Sequence, residues 1–425
     1  MPTHTVGIDL GTSGVRAVVL HPDGTQQSRS VTIRPEQRRD PAALWEAVGI
    51  VLSGLMMRDV GALAVAGTSG TILATDRSGA ALGRLSLYSD LADAAIVAEI
   101  SDTAPAGSPA RGHTSPLGRA VGLARAAHVG RILHEADWIA GLLCGRFGFS
   151  DENNALKTGY DPVTREWPDW VRKVGLDAGM LPHVFPPGQP IAAVAPDIAV
   201  RFGLPPGTVI ATGTTDGCAS FLSTGASQPG DAVTVLGSTL TLKLLATAPV
   251  SAPEFGIYSH RLWDAWLTGG ASNSGGAVLA QFFSPATIAS LSERIIARND
   301  SGLRYYPLLR PGERFPVNDP AQKPCLLPRP DDDALFLHGM LEGIARIEAL
   351  GYCRLRACGA PAVRGVTTVG GGAGNPAWSA IRHRILNTTV IHVTGTSAAH
   401  GAALVARRAL TGPGQCATAA IASLA

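Results

Sequence analysis

Two related α/β lobes, each a mixed sheet flanked by helices, are the fold class predicted by this sequence of 425 residues. Three observations predict it. Residues 6–20 read as strand, Gly-Thr-Ser-Gly turn, strand; residues 232–243 restart that pattern around Gly237-Ser238-Thr239; and helical segments alternate with short apolar runs without any low-complexity linker. The lobes are therefore expected to span 1–223 and 224–396 and to meet across a cleft. A small-residue helix over 397–425 is expected to pack back on the first lobe.

The opening hairpin organises the chain. Its Val, Ile and Leu runs, bounded by glycine, favour paired strands. Gly11 and Gly14 permit positive φ and leave backbone N–H groups uncovered, so Gly11, Thr12, Ser13 and Gly14 form a candidate phosphate cradle. Asp9 enters that turn, where a carboxylate beside phosphate calls for a divalent cation between them; the same residues also suit an ordinary hairpin whose Asp caps its turn. Arg16 follows just past the turn, placed either to reach phosphate or sugar or only to pair on the sheet edge. Asp40 and Pro41 supply the N-cap and first turn of a helix over 41–57. Residues 62–76 repeat the hairpin, down to a second Gly-Thr-Ser-Gly at 67–70 and a trailing Asp. That repeat predicts a second hairpin turn bringing Thr68 and Ser69 beside the first turn. Helical spacing over 130–143 centres on Asp137-Trp138, and a Pro-Gly-rich passage over 186–207 leads to an apolar strand at 209–212. Late in the chain a strand at 365–369 runs into the glycine cluster 370–374, followed by helices over 377–386 and 397–410.

Composition narrows the function. A formal charge of +2, with lysine only at 157, 173, 243 and 323, leaves no basic stripe for nucleic acid. Apolar stretches are too short and too broken for a membrane span, and no signal segment opens the chain. The six cysteines, at 144, 218, 325, 353, 358 and 416, lack paired metal spacing and read as free thiols of a cytoplasmic protein.

The chemistry-bearing residues fall into one pattern. Gly213-Thr214-Thr215-Asp216-Gly217 places a second lone carboxylate at the end of an apolar strand, fit for a general base or for a helix cap. With Asp9, two phosphate-sized turns and a glycine loop between strand and helix, this constellation suits phosphoryl transfer. Neither a Walker A lysine motif nor a protein-kinase glycine loop is present.

Nearly end to end, the chain resembles the FGGY carbohydrate kinases, of the actin-like ATPase (ribonuclease H-like) fold. The matching motifs are Gly-x-Asp-x-Gly-Thr-Ser at the first hairpin, Gly-x-x-Asp at 213–216, Gly-Ser-Thr at 237–239, Gly-Gly-Ala-Ser-Asn at 269–273, Gly-Glu-Arg-x-Pro at 312–316, Glu342-Gly343-Ile344 and Gly-Gly-Gly-Ala at 370–373. The resemblance implies transfer of the ATP γ-phosphate to a sugar hydroxyl in a cleft between an N-terminal sugar lobe and a C-terminal ATP lobe. It implies Asp216 as general base, Asp9 as the Mg²⁺-side carboxylate, and phosphate contacts from 11–14, Arg16 and Gly237, Ser238 and Thr239. Adenosine would lie on Gly371, Gly372, Asn375 and Trp378, although a helix tryptophan also reads as core. Sequence 151–160 is most similar to the D-ribulokinase, or xylulose kinase-like, group. That implies D-ribulose as substrate, with D-xylulose, or a degenerate sugar-kinase-like ATPase or sensor, as alternatives. The sugar motif Trp-x-Asp-x-Arg of many members is missing at 87–93, which shifts the expected sugar contacts to Asp9, Thr68, Ser69 and Asp216. The partners implied are a small sugar and ATP, with a monomer or homodimer and no nucleic acid or membrane.

Overall fold

The protein is described here by a computed structural model covering residues 3–411. The portion of the expected C-terminal helix at 412–425, with Cys416, lies outside the described residues. The chain divides into two compact units. The first holds residues up to Gly225, the segment His260–Trp263 and residues from Thr396 onward; the second holds Ala226–Ser259 and Asp264–Gly395. Two crossings fall at Gly225 and Gly395, which take φ of 75° and 77°, values open to glycine but strained for other residues.

In the first unit, β1 (His4–Leu10), β2 (Gly14–Leu20) and β3 (Gln26–Thr32) form an antiparallel meander. The sheet continues through β4 (Val60–Gly67), parallel to β1, then through Val209–Ala211, parallel to β4, and ends at the antiparallel edge Pro190–Ala193. All eight residues of β4 are buried. A parallel central strand covered on both faces shows no polar alternation, so the continuous Val-Gly-Ala-Leu-Ala-Val-Ala-Gly run is what such a strand requires. On one side packs α1 (Pro41–Ser53), started by Asp40, whose carboxylate accepts from Ala42 N at 2.9 Å. Against β1 and β4 lies the helix Ala398–Thr411, buried through Ala398, Ala399, Ala402 and Ala403.

The approach of that helix is close enough to dictate glycine. A Cβ at Gly7 would stand 2.0 Å from the carbonyl oxygen of Ala399. Gly7→Ala is expected to lose more than the ~1–3 kcal/mol usual for overpacking, because the obstacle is helix backbone rather than a movable side chain. Equilibrium urea unfolding measures the loss, and an unchanged midpoint would refute it.

The second unit repeats the first. Asp231–Leu236, Leu240–Ala246 and Ala265–Ser272 form an antiparallel meander; Gly365–Val369 then lies parallel to Asp231–Leu236, and Val390–His392 parallel to that. The 25-residue helix Asp333–Ala357 supplies much of its core through Phe336, Leu337, Met340, Leu341 and Ile344. A buried ion pair joins this helix to the helix Pro376–Leu386: Arg382 binds Glu348 through Nε and Nη2, each at 2.6 Å, and reaches Thr368 Oγ1 through Nη1.

Two local expectations are corrected. Residues 67–70 are not a hairpin turn: β4 pairs with β1 and Val209–Ala211, while Ile72–Thr75 turns away to pair with Arg131–His134 in a separate two-stranded sheet. A fully buried parallel strand has no free edge on which a hairpin partner can fold back, and this overrode the turn signal. The helix expected over 130–143 begins as that strand and becomes helical only at Glu135–Cys144. Among the described residues no helix is long and apolar enough to cross a membrane. The five described cysteines are free thiols.

Candidate active site

The register of three strands builds the acidic centre of the first unit. Asp9 lies opposite Ala66 on β4, and Ala66 lies opposite Thr214 on the short strand Thr214–Thr215. The carboxyl ends of three adjacent parallel strands therefore deliver Asp9, Thr68 and Asp216 to one edge of the sheet, where open α/β sheets bind their ligands. Gly213 permits this arrangement, since a Cβ there would meet the carbonyl oxygen of Val65 at 1.8 Å.

Asp216 opens the helix Asp216–Leu222 but does not cap it. Thr215 is the N-cap and accepts from Cys218 N, while Asp216 Oδ1 accepts from the adjacent Gly217 N at 2.7 Å. The capping alternative thus belongs to its neighbour. Asp9 is half-buried, its Oδ1 is buried without a hydrogen-bond partner, and Arg16 is its cross-strand neighbour. Burial pushes the Asp9 carboxyl up to about 7, helped by the negative charges of Asp216 and Glu135 and opposed by Arg16. A buried, unsatisfied carboxylate oxygen fits a hard divalent cation. Among the described residues no group of three or more His, Cys, Asp or Glu could hold a metal.

Thr68 and Ser69 follow β4 on the same edge. Thr68 Oγ1 donates to Leu10 O at 2.9 Å, and Ser69 Oγ is buried without a partner. Thr12 and Ser13 are exposed on the β1–β2 turn, with Gly11 and Gly14 half-buried; Gly11 N donates to Gly14 O at 2.9 Å.

Sequence reasoning missed two residues of this centre. Glu135, 1% exposed, accepts from Thr68 N at 2.9 Å and from Arg38 Nη2 at 3.0 and 2.7 Å; burial pushes its carboxyl up to about 7. Arg38 donates through Nε to Gly11 O at 3.1 Å. The available signal was a glutamate inside the apolar run 132–140, where only a paired charge is stable. Asp90, in the segment lacking the Trp-x-Asp-x-Arg motif, is gripped by Arg39 through two 2.6 Å bonds.

The second unit holds a cavity of about 1000 Å³. Gly237, Ser238, Gly371, Gly372, Asn375 and Trp378 line it together with apolar residues from Gly276 to Ala289; Thr239 closes the turn by accepting from Gly237 N but is not among the lining residues. Asn375 caps the following helix by accepting from Trp378 N and donates to Ser292 Oγ, which fixes the loop. Trp378 is 2% exposed and a Cβ on Gly372 would stand 2.6 Å from its ring, so the tryptophan backs the glycine loop from beneath. Glu313, of the Gly-Glu-Arg-x-Pro motif, accepts from Ser272 Oγ and Asn273 N and holds the end of the strand Ala265–Ser272.

Residues 232–410 match the C-terminal domain of the FGGY family of carbohydrate kinases. The chain is 26% identical to the xylulose kinase of Klebsiella pneumoniae over 86% of its own length and 82% of that protein. A ligand-bound xylulose kinase from Lactobacillus acidophilus superposes with a TM-score of 0.84 at 18% identity, covering 98% of this chain and 91% of the other. The xylulose kinase of Rhodospirillum rubrum gives 0.82 at 22% identity, with 99% and 92% covered. These two structures show that the chain shares their fold.

Proposed function

We propose, because the chain belongs to the FGGY family of carbohydrate kinases, that it transfers the γ-phosphate of ATP to a hydroxyl of a ketopentose. D-xylulose stands ahead of D-ribulose, the sequence-based expectation, because the relatives similar over most of the chain are xylulose kinases. The observation that carries the reading is the convergence, on one sheet edge, of Asp9, whose buried Oδ1 has no hydrogen-bond partner, and Asp216, a carboxylate that opens a helix capped by its neighbour Thr215.

Asp216 accepts the proton of the sugar hydroxyl as its oxygen attacks the γ-phosphorus. The bond from that phosphorus to the β–γ bridging oxygen breaks, and ADP leaves with the electron pair. Asp9 would hold a divalent cation, which when bound would neutralise phosphate charge. In the first unit Thr12, Ser13 and the turn amides at 11–14 suit phosphate oxygens; in the second unit the cavity lined by Gly237, Ser238, Gly371, Gly372 and Asn375 suits a nucleotide. Ser69 Oγ, buried and unpartnered, is a ready hydrogen-bond partner for a sugar hydroxyl.

A coupled assay of ADP release over D-xylulose, D-ribulose, D-gluconate and glycerol tests the reading, with the largest kcat/KM expected for a ketopentose. Turnover confined to gluconate or glycerol would replace the substrate class. Sugar-independent ATP hydrolysis alone would favour a nucleotide switch. For Ser69→Ala, loss of one substrate hydrogen bond predicts a rise of about 2–10-fold in the sugar KM with the ATP KM unchanged. An unchanged sugar KM would remove Ser69 from the sugar site.

A further inference from the structure

We propose that the buried Arg38–Glu135 ion pair is a positioning device for the sugar site, locking the turn that follows Asp9 to the loop that carries Ser69. The proposal rests on the kinase reading above. Four hydrogen-bonded links close a ring: Arg38 Nε to Gly11 O, Arg38 Nη2 to the Glu135 carboxylate, Thr68 N to Glu135 Oε1, and Thr68 Oγ1 to Leu10 O. The ring begins and ends on the successive carbonyls of Leu10 and Gly11, immediately after Asp9, and passes through the residue immediately before Ser69. Arg38 and Glu135 are 4% and 1% exposed, so both have surrendered water to make it.

Stability alone gives no reason for a charged pair here. Exchanging a buried ion pair for apolar residues of similar volume is often neutral or favourable. This pair also carries an electrostatic cost at the site, since the Glu135 charge opposes ionisation of Asp9. What the pair supplies is a forked, rigid link between two loops that must hold their groups to a fraction of an ångström, where a misplacement of about 1 Å can cost roughly 10² in rate. Thr68 thereby has its amide and hydroxyl both committed within the ring. It acts through its neighbour, whereas Ser69 remains available to substrate.

The experiment uses the whole chain with the double substitution Arg38→Met/Glu135→Leu, which removes the ring without leaving an unpaired buried charge, and with Arg38→Lys, which keeps the charge but loses the fork. Thermal midpoint, ATP affinity by titration calorimetry, sugar KM and kcat, and amide hydrogen exchange at 11–14 and 68–70 are measured. Both variants are expected to raise the sugar KM and lower kcat by about tenfold or more, and to exchange faster at both loops. Wild-type kinetics per folded molecule, or unchanged exchange at the two loops, would overturn the positioning role even if the midpoint fell. If the loops loosen while the unaltered protein shows no sugar-dependent ADP release with any sugar, the ring stands and the kinase reading falls. If the double variant does not fold, Arg38→Lys decides by the same two readouts.

Discussion

Asp216→Asn is expected to abolish sugar phosphorylation while ATP continues to bind. A general base contributes roughly 10²–10⁴ in rate and little to nucleotide affinity, and the amide cannot accept the hydroxyl proton. The substitution is nearly isosteric, and the Gly217 N–H that donates to Asp216 Oδ1 can donate equally to an asparagine oxygen. Thr215 still caps the helix. Folding should therefore survive, and the loss should be in kcat. Rapid-quench measurement of sugar phosphate, beside calorimetric titration with ATP, separates the two effects. A variant turning over at near wild-type rate would end the assignment of the base.

The second large effect belongs to Asp9. Asp9→Asn should eliminate both the sugar reaction and any background ATP hydrolysis, because neutralising the phosphates is common to the two. If only the sugar reaction suffered, Asp9 would be a sugar ligand instead. The same substitution should stabilise the protein in the absence of nucleotide and metal. The Asp9 carboxyl is raised from 3.8 to about 7 on folding, so the native state binds more protons than the unfolded chain between those values, and stability falls as pH rises through that window. Asparagine removes this loss. The gain is expected to be absent below about pH 4, to grow from there to about pH 7, and to level off above, at no more than about 4 kcal/mol. Thermal denaturation at pH 4 and pH 8 without magnesium measures it; an equal midpoint for both proteins at pH 8 would show that the carboxylate is not held at a cost.

Most of the architecture was legible because it is local. The strand–turn–strand units at 6–20 and 232–243 advertise themselves by apolar runs broken at glycine, and Asp40-Pro41 marks the start of α1 by its chemistry. The second Gly-Thr-Ser-Gly misled for a physical reason. A turn composition reports what the backbone tolerates, whereas strand pairing is decided by neighbours distant in sequence: β4 is buried on all eight residues between β1 and Val209–Ala211 and has no edge to offer. Glu135 and Arg38 were illegible because their significance is a contact across 97 positions. Neither has a local motif, and a charged residue bound for the interior says that a partner exists without saying which. Asp9 and Asp216 were readable as lone carboxylates at strand ends, but their shared edge depends on the Ala66 register, which only tertiary structure supplies.

The helix Ala398–Thr411 has a consequence for biosynthesis. It packs against β1 and β4, the first and fourth strands to leave the ribosome, and joins the alanine cluster of Ala66, Ala219, Ala398 and Ala402. Until it is made, the emerging N-terminal segment holds a sheet with one apolar face bare at Gly7, and the whole second unit must be translated in between. Vectorial completion is therefore reversed: the part that begins first finishes last, and the second unit can reach its native core while the first still waits. A ribosome stalled before residue 398 would carry a chain that exposes hydrophobic surface to chaperones, and nonsense mutations late in the reading frame would disable the unit encoded at its start.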